Sequence, residues 1–164
     1  MELLLQNNYL HTDTGIYRCA IGDNGVSTNK VEGDLCTPAG IFKFISIYYR
    51  PDKVGVLKFL LPSIEITEND GWCDDPSSEF YNKHIRFPFE KSAERLYRDD
   101  NLYDILCVID YNIKPTIPGK GSAIFLHIAR PRLLNTEGCI AIEKEEMIKL
   151  SQKIEIDTKL IIKP

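Results

Sequence analysis

The chain has 164 residues, of which 43% are hydrophobic and 27% charged, and its formal net charge is −4 at pH 7. This hydrophobic content excludes a disordered chain, and a negative net charge argues against a nucleic-acid-binding protein, which needs a basic face. The length suits one domain with its own core, and neither a linker nor an internal repeat divides the chain. We therefore predict a single domain over residues 1–164.

The start of the chain does not have the pattern of a secretion signal. Residues 1–8 contain no basic residue, and their apolar run is three residues long, whereas a signal peptide has a basic segment followed by roughly 7–15 apolar residues. No stretch approaches the roughly 18 apolar residues of a membrane-spanning helix. We expect a cytoplasmic protein if Met1 is the natural start, and a periplasmic one if a signal peptide has been removed.

Short apolar runs, separated by Gly, Pro, Asn and Asp, predict a mainly β protein with a twisted or curled sheet. In chain order, strands are predicted over residues 17–21, 40–49, 57–61, 102–111, 123–127 and 159–162. Apolar residues spaced by three and four predict a helix over residues 144–154, and glutamates at its start favour the helix dipole. A less regular helical pattern covers residues 91–98.

Two segments between these elements have the composition of ligand-binding loops. Residues 70–82 have no regular period and contain several acidic, aromatic and amide side chains: Trp72, Asp74, Asp75, Tyr81 and Asn82. They suit a ligand with a cationic amine, although a core tryptophan and an Asp-Asp-Pro turn are the structural alternative. Residues 112–121 suit either a lid or an ordinary surface connection.

A histidine and a cysteine follow each other at short range near the C-terminal end. His127 ends a predicted strand, while Cys139 follows Gly138, which permits a tight turn, and opens the apolar run 140–142. Two adjacent strands would bring the imidazole and the thiol to one edge of a sheet, an arrangement typical of a histidine-assisted nucleophile. The alternative is that both are ordinary core residues, since free cysteine is often buried.

These residue types divide the chemistry between them. Ionisation of an ordinary thiol by the imidazole gains only about tenfold in nucleophile near neutral pH. His127 would contribute more by protonating a departing amine, an effect of about 10²- to 10⁴-fold. The backbone N–H groups of Gly138 and Cys139 are the expected oxyanion donors. Arg130 could bind a substrate carboxylate, or be a solvated loop arginine.

The cysteines and histidines do not form a metal or disulfide pattern. The five cysteines are an odd number, so at least one thiol stays free, and no two of them have the C-x-x-C spacing. The three histidines are not spaced as metal ligands: His11, His84 and His127. We predict no metal site and no other cofactor.

The segment around Cys139 resembles the active site of the L,D-transpeptidase catalytic domain of the YkuD type. The family pattern is a histidine, a variable loop and Ser/Thr-His-Gly-Cys, which is similar to His127 followed by Thr136-Glu137-Gly138-Cys139. Residues 30–40 are similar to the family's Lys-x-Glu-Gly-Asp-x-x-Thr-Pro-x-Gly segment, and residues 70–82 resemble one subgroup. The resemblance covers about residues 20–142.

Two positions beside the nucleophile depart from that pattern. Glu137 replaces the histidine usually found between Ser/Thr and Gly, and Ala141 replaces the Arg or Asn often found two residues after the cysteine. Thr136 and Glu137 are candidates for substrate binding, but the usual contacts of the two changed positions do not carry over directly.

The resemblance implies a β-sandwich-like fold with one or two short helices. It also implies that the backbone carbonyl of Ile128 orients the imidazole of His127. The implied substrate belongs to the bacterial cell wall: a peptidoglycan stem tetrapeptide or muropeptide, cut before its terminal D-Ala. Cys139 would attack this L,D bond and keep the acyl group as a thioester.

The acceptor of that acyl group decides between two activities. An amine of a second stem peptide gives an L,D-transpeptidase, whereas water gives an L,D-carboxypeptidase of muropeptide recycling. Two other classes remain: a cysteine hydrolase of a different peptide bond, and a non-catalytic module that binds peptidoglycan fragments. Glu137 would support the latter if it faced the sulfur, because a negative charge there raises the thiol pKa. The oligomeric state stays open.

Overall fold

The computed structural model describes every residue from Met1 to Pro164. The chain is 36% strand and 9% helix, which confirms the prediction of a mainly β protein with one or two short helices. In chain order the elements are β1 Glu2–Gln6, β2 Tyr9–Thr12, β3 Gly15–Arg18, β4 Val26–Ser27, β5 Thr37–Pro38, β6 Gly40–Tyr49, α1 Pro51–Val54, β7 Ser63–Glu65, β8 Asp70–Cys73, β9 His84–Arg86, β10 Ala93–Arg95, β11 Ile105–Ile109, β12 Phe125–Ile128, a 3₁₀ turn Pro131–Leu133, β13 Ile140–Ile142, α2 Lys144–Ser151 and β14 Lys159–Ile162.

Nine strands form one sheet, which curls so that its two edges approach each other. Its order is β13-β12-β11-β6-β14-β1-β2-β3, and β7 also pairs with β6. Ala20, just after β3, pairs with Ala141 of β13 through backbone hydrogen bonds of 2.8 and 2.9 Å in both directions. The two ends of the strand order therefore meet next to β13.

The faces of the large sheet pack against different layers. One face, which includes Leu126 and Ile140, packs with α2 around the larger core cluster. The opposite face, which includes Phe125 and Cys139, contributes to a second cluster with Trp72 of the three-stranded sheet β10-β8-β9. Because side chains alternate along a strand, residues 125 and 127 share this second face. The layering agrees with the sandwich-like fold that was expected.

Several predicted elements have counterparts in the structure. The bounds of β6 and β14 match the predicted strands at 40–49 and 159–162. The strands predicted at 102–111 and 123–127 correspond to β11 and β12, and the helix predicted at 144–154 corresponds to the shorter α2. The strand predicted at 17–21 ends at Arg18 as β3.

Two predicted elements are wrong because tertiary pairing outweighs local pattern. Residues 57–61 alternate in burial but make no backbone hydrogen bond to a neighbouring strand, so the strand beside β6 is β7 instead. Residues 91–98 form no helix, since Ala93–Arg95 pairs with β8 as strand β10. The predicted loop 70–82 begins with the fully buried strand β8.

The N-terminal hairpin β1–β2 was not predicted, although its turn has a sequence signal. Asn7 and Asn8 both have positive φ, 52° and 61°, as the type I′ turn of a two-residue hairpin requires, and asparagine tolerates this conformation well. No helix of the structure has the length and apolar character needed to cross a bilayer.

Candidate active site

The pairing of β12 with β13 brings His127 and Cys139 together. The two strands are parallel, with Leu126 opposite Ile140 and His127 opposite Ala141. Cys139, directly before β13, lies opposite Phe125, two residues before His127 in β12. The side chains of Cys139 and His127 therefore lie on the same face of the sheet. Both side chains line one cavity of about 350 Å³.

The imidazole of His127 is held by the residue that follows it. Its Nδ1 lies 2.8 Å from the backbone oxygen of Ile128, and a carbonyl oxygen only accepts, so Nδ1 carries the proton and Nε2 does not. This is the carbonyl that was expected to orient the ring. The ring of Tyr103 packs against the imidazole edge to face, with centroids 5.3 Å apart.

Burial sets the charge state of the imidazole. His127 is 3% exposed, and this burial lowers its pKa to about 4, since the loss of solvation outweighs the hydrogen bond to Ile128, which raises it. Arg130 and Arg98 lower the pKa further by charge repulsion. The imidazole is neutral at physiological pH.

The thiol of Cys139 makes two hydrogen bonds to backbone groups, one just before strand β12 and one at the start of that strand. Sγ donates to the carbonyl oxygen of Ala123 over 3.1 Å and accepts from the N–H of Phe125 over 3.4 Å. Burial raises its pKa to about 12, and Glu94 adds to this rise. No hydrogen bond joins the thiol to His127. Because of the two shifted pKa values, both the thiol and the imidazole are neutral at physiological pH.

The turn before Cys139 uses the N–H of Gly138 internally. This N–H donates to Oγ1 of Thr136 over 3.1 Å, and the Thr136 hydroxyl donates to the carbonyl of Cys139 over 2.7 Å. The N–H of Gly138, an expected oxyanion donor, is therefore engaged in this structure, and Gly138 does not line the cavity. The N–H of Cys139 makes no hydrogen bond and stays available.

Glycine is required at position 138 for geometric reasons. Its φ is +141°, and a Cβ there would lie 2.9 Å from the backbone oxygen of Cys36. The turn is therefore packed tightly against the segment that leads into β5. Thr37 strengthens this contact by donating to the carbonyl of Cys139 over 3.4 Å.

Half of the predicted substrate-binding side chains line the cavity: Asp74, Arg130, Thr136 and Glu137. Arg130 makes no salt bridge, and Oδ1 of Asp74 is buried without a hydrogen-bond partner. The other four lie outside the cavity: Trp72, Asp75, Tyr81 and Asn82. Asp75 accepts a hydrogen bond of 2.8 Å from the N–H of Ser77, which is the turn role that Asp-Asp-Pro favours.

Trp72 and Asn82 support the backbone segment that contacts Cys139. The side-chain oxygen of Asn82 accepts hydrogen bonds from Trp72 Nε1 at 2.9 Å and from the N–H of Ala123 at 3.0 Å. Its amide nitrogen donates to the carbonyls of residues 111 and 112. Asn82 thus positions Ala123, whose carbonyl accepts from Cys139.

Tyr81 belongs to a second supporting network. Its hydroxyl donates to Glu32 and accepts from the N–H of Gly121, and Glu32 also accepts from Ser122 over 2.7 Å. Glu32 and Ser122 line the cavity while Tyr81 does not. Tyr81 therefore positions a cavity wall.

Residues 112–121 form a connection held by its own hydrogen bonds. Asn112 closes the loop on itself by donating to the carbonyls of Ile117 and Gly121, over 3.0 and 2.8 Å. No residue of this segment lines the cavity.

Several cavity residues were not identified as site residues from the sequence, among them Glu94, Arg98 and Tyr103. Glu94 accepts a hydrogen bond from Tyr103 over 2.6 Å, and its burial raises the pKa of its carboxyl group. Arg98 is paired with Asp100 through two hydrogen bonds of 2.9 and 2.5 Å. Glu94 reaches the site only because β10 pairs with β8, which its local sequence does not signal.

The cavity carries both signs of charge. Its acidic side chains are Glu32, Asp74, Glu94 and Glu137, and its basic ones are Arg98 and Arg130. Since Asp100 compensates Arg98, Arg130 is the cation without a partner. Such a lining suits a ligand with an ammonium and a carboxylate group. No group of three or more His, Cys, Asp or Glu side chains is arranged to hold a metal ion.

Comparison of the whole chain with known proteins gives a family match and a similar solved structure. The family model described as L,D-transpeptidase catalytic domain (YkuD) matches residues 6–162. One similar solved structure is the helical cell shape determining protein Pgp2 from Campylobacter jejuni, with 14% identity and a TM-score of 0.45. That similarity covers 99% of this chain but 46% of the other, so this chain spans less than half of its length. No curated protein matches.

We predict that His127 titrates far below an ordinary histidine. Because burial lowers its pKa to about 4, its NMR resonances, assigned with His127→Gln, should have a midpoint near pH 4. The neutral imidazole contributes stability above pH 6.5 that is lost as pH falls towards 4. Relative to His127→Gln, the free energy of unfolding of the wild type should fall by up to about 3 kcal/mol over that range. A midpoint at or above 6.5 would instead indicate an imidazolium–thiolate pair.

Proposed function

This chain belongs to the family of YkuD-type L,D-transpeptidase catalytic domains, and we propose that it is a cysteine acyltransferase acting on peptidoglycan. The proposed substrate is a stem tetrapeptide, attacked at the L,D bond between its third residue, a diamino acid, and terminal D-Ala. One observation carries the proposal: His127 and Cys139 line one cavity, and the Ile128 carbonyl leaves Nε2 of the imidazole unprotonated.

The neutral resting pair suits attack with concerted proton transfer. The S–H bond, which points at Ala123 in the free site, rotates towards His127 when substrate is bound. As Sγ bonds to the carbonyl carbon, Nε2 accepts the thiol proton, and the carbonyl oxygen becomes an oxyanion beside the free N–H of Cys139. Full ionisation of the thiol before attack is not required.

The same imidazole then acts as an acid. The tetrahedral intermediate collapses, the C–N bond to D-Ala breaks, and the amine leaves with the proton from Nε2. A thioester of Cys139 remains. An amine or water then attacks the thioester while His127 accepts the proton of the acceptor, and that proton returns to the departing thiolate.

The charged side chains of the cavity suit the two charged groups that flank the scissile bond of the substrate. Arg130, the cation without a partner, is the proposed contact of the D-Ala carboxylate. The carboxylates of the cavity lining suit the side-chain ammonium of the diamino acid. Ala141 offers no charge at the position where the family often has Arg or Asn, so Arg130 supplies the positive charge from a different loop.

One observation favours a second candidate, a module that binds peptidoglycan fragments without turnover. The thiol is satisfied by Ala123 and Phe125, and burial with Glu94 and Glu137 nearby raises its pKa to about 12. A site with no means of removing the thiol proton would bind the stem peptide unchanged. The proposed base, Nε2 of His127, is the group that distinguishes the two candidates.

We predict that the wild type releases D-Ala from a disaccharide tetrapeptide, as followed by mass spectrometry. Cys139→Ala should abolish the release, and Cys36→Ala, which changes a partly exposed cysteine outside the cavity, should not. Cross-linked dimer would identify a transpeptidase, and tripeptide without dimer an L,D-carboxypeptidase. Binding without turnover would support the silent module. Release that persists in Cys139→Ala would overturn the assignment of the nucleophile.

We also predict that Arg130→Gln selectively weakens use of substrates with a free C-terminal carboxylate. Loss of a charge-assisted contact should raise KM by about 10- to 100-fold for the free acid, and have little effect on the same peptide as a C-terminal amide. Arg132→Gln is the matched control, because Arg132 is exposed and does not line the cavity. Equal losses on acid and amide would rule out this contact.

A further inference from the structure

Lys30 is a buried cation directly behind the turn that presents Cys139. Its side chain is 4% exposed, and its ammonium lies 2.6 Å from Oδ1 of Asp34. A Cβ placed on Gly138 would lie 3.5 Å from Nζ of Lys30. Lys30 does not line the cavity, so it acts on the site without touching a ligand.

The stability of the loop around Asp34 does not require the ammonium group of Lys30. Asp34 also accepts hydrogen bonds from the N–H groups of Val31 and Cys36, over 2.8 and 2.9 Å, so the loop keeps two backbone contacts without the lysine. Removing two charges from water is costly, and a buried ion pair is often no more stabilising than apolar residues of similar volume. A role in the electrostatics of the neighbouring turn explains its position better.

Most of the neighbourhood of Cys139 is unfavourable for negative charge. Burial, Glu94 and Glu137 raise the thiol pKa, whereas the N–H of Phe125 and the charge of Lys30 lower it. The N–H of Gly138 is engaged with Thr136, so this turn lacks one of its donors, while the N–H groups of Glu137 and Cys139 have no partner. A positive charge behind Gly138 compensates for that shortage.

We propose that Lys30 is a positioning residue whose ammonium stabilises the negative charge that develops on the Cys139 side of the site during attack. Its effect on the thiol is independent of the substrate, and its effect on an oxyanion rests on the proposed function. The counter-ion Asp34 moderates this effect, because its carboxylate partly cancels the field of the ammonium.

Two substitutions with opposite electrostatic consequences test the proposal. Lys30→Met removes the positive charge, and Asp34→Asn removes its counter-charge while keeping a similar shape. The probe is iodoacetamide, and the readout is the rate of Cys139 alkylation by peptide mass spectrometry between pH 7 and 9. A tenfold change in thiolate fraction changes this rate by about threefold, since a less basic thiolate is less nucleophilic.

We expect Lys30→Met to slow alkylation by about threefold or more and Asp34→Asn to accelerate it by a similar factor. Lys30→Arg should restore a rate near that of the wild type. A purely structural role predicts that Lys30→Met and Asp34→Asn change the rate in the same direction. That result, or an unchanged rate in both folded variants, would overturn the proposal.

If Lys30→Met does not fold, as judged by urea denaturation, Asp34→Asn decides alone: a faster rate supports the proposal and an equal or slower rate overturns it. The assay needs no stem peptide. A wild type that fails to release D-Ala while the variants show the opposed alkylation rates would therefore refute the proposed function and leave the role of Lys30 intact.

Discussion

The parallel pairing of β12 with β13 is the constraint on which the site depends. Its register puts the apolar pairs Leu126–Ile140 and Ile128–Ile142 on the face that packs with α2, and His127 and Cys139 on the other. A slip of one residue in either strand would turn one of the two polar side chains into the core. The hydrophobic pattern that stabilises the sheet therefore also aligns the imidazole with the thiol.

Burial determines how this pair works. In a dry site, charge separation between thiol and imidazole is unfavourable, so both rest neutral, with pKa values of about 12 and about 4. A neutral thiol reacts slowly with oxidants and with small electrophiles. In the proposed mechanism, reactivity depends on a bound acyl group that lets Nε2 of His127 take the proton as the bond forms, which would favour the specific substrate over adventitious reagents.

The position of His127 and Cys139 at one cavity was easier to predict from the sequence than the surroundings of the two residues. His127 and Cys139 end or precede short apolar runs, a local signal, and the Ile128 carbonyl followed from the resemblance to the family. Glu94 and Arg98 were missed because residues 91–98 have a helical pattern that is overridden by pairing with Asp70–Cys73. The engagement of Gly138 depends on the hydroxyl rotamer of Thr136, and the supporting role of Asn82 depends on contacts with residues about 30 to 40 positions away. Contacts between residues distant in the chain, and the rotamers of side chains, cannot be predicted from the local sequence.

The central claim is that Cys139 is an acylating nucleophile assisted by His127. Its most direct test is intact and peptide mass spectrometry after incubation with a carbapenem, whose strained ring opens on acylation without releasing a leaving group. We predict one adduct per chain, located on Cys139, absent from Cys139→Ala and formed much more slowly in His127→Gln. The absence of an adduct in the wild type, or one on another residue, would contradict this account.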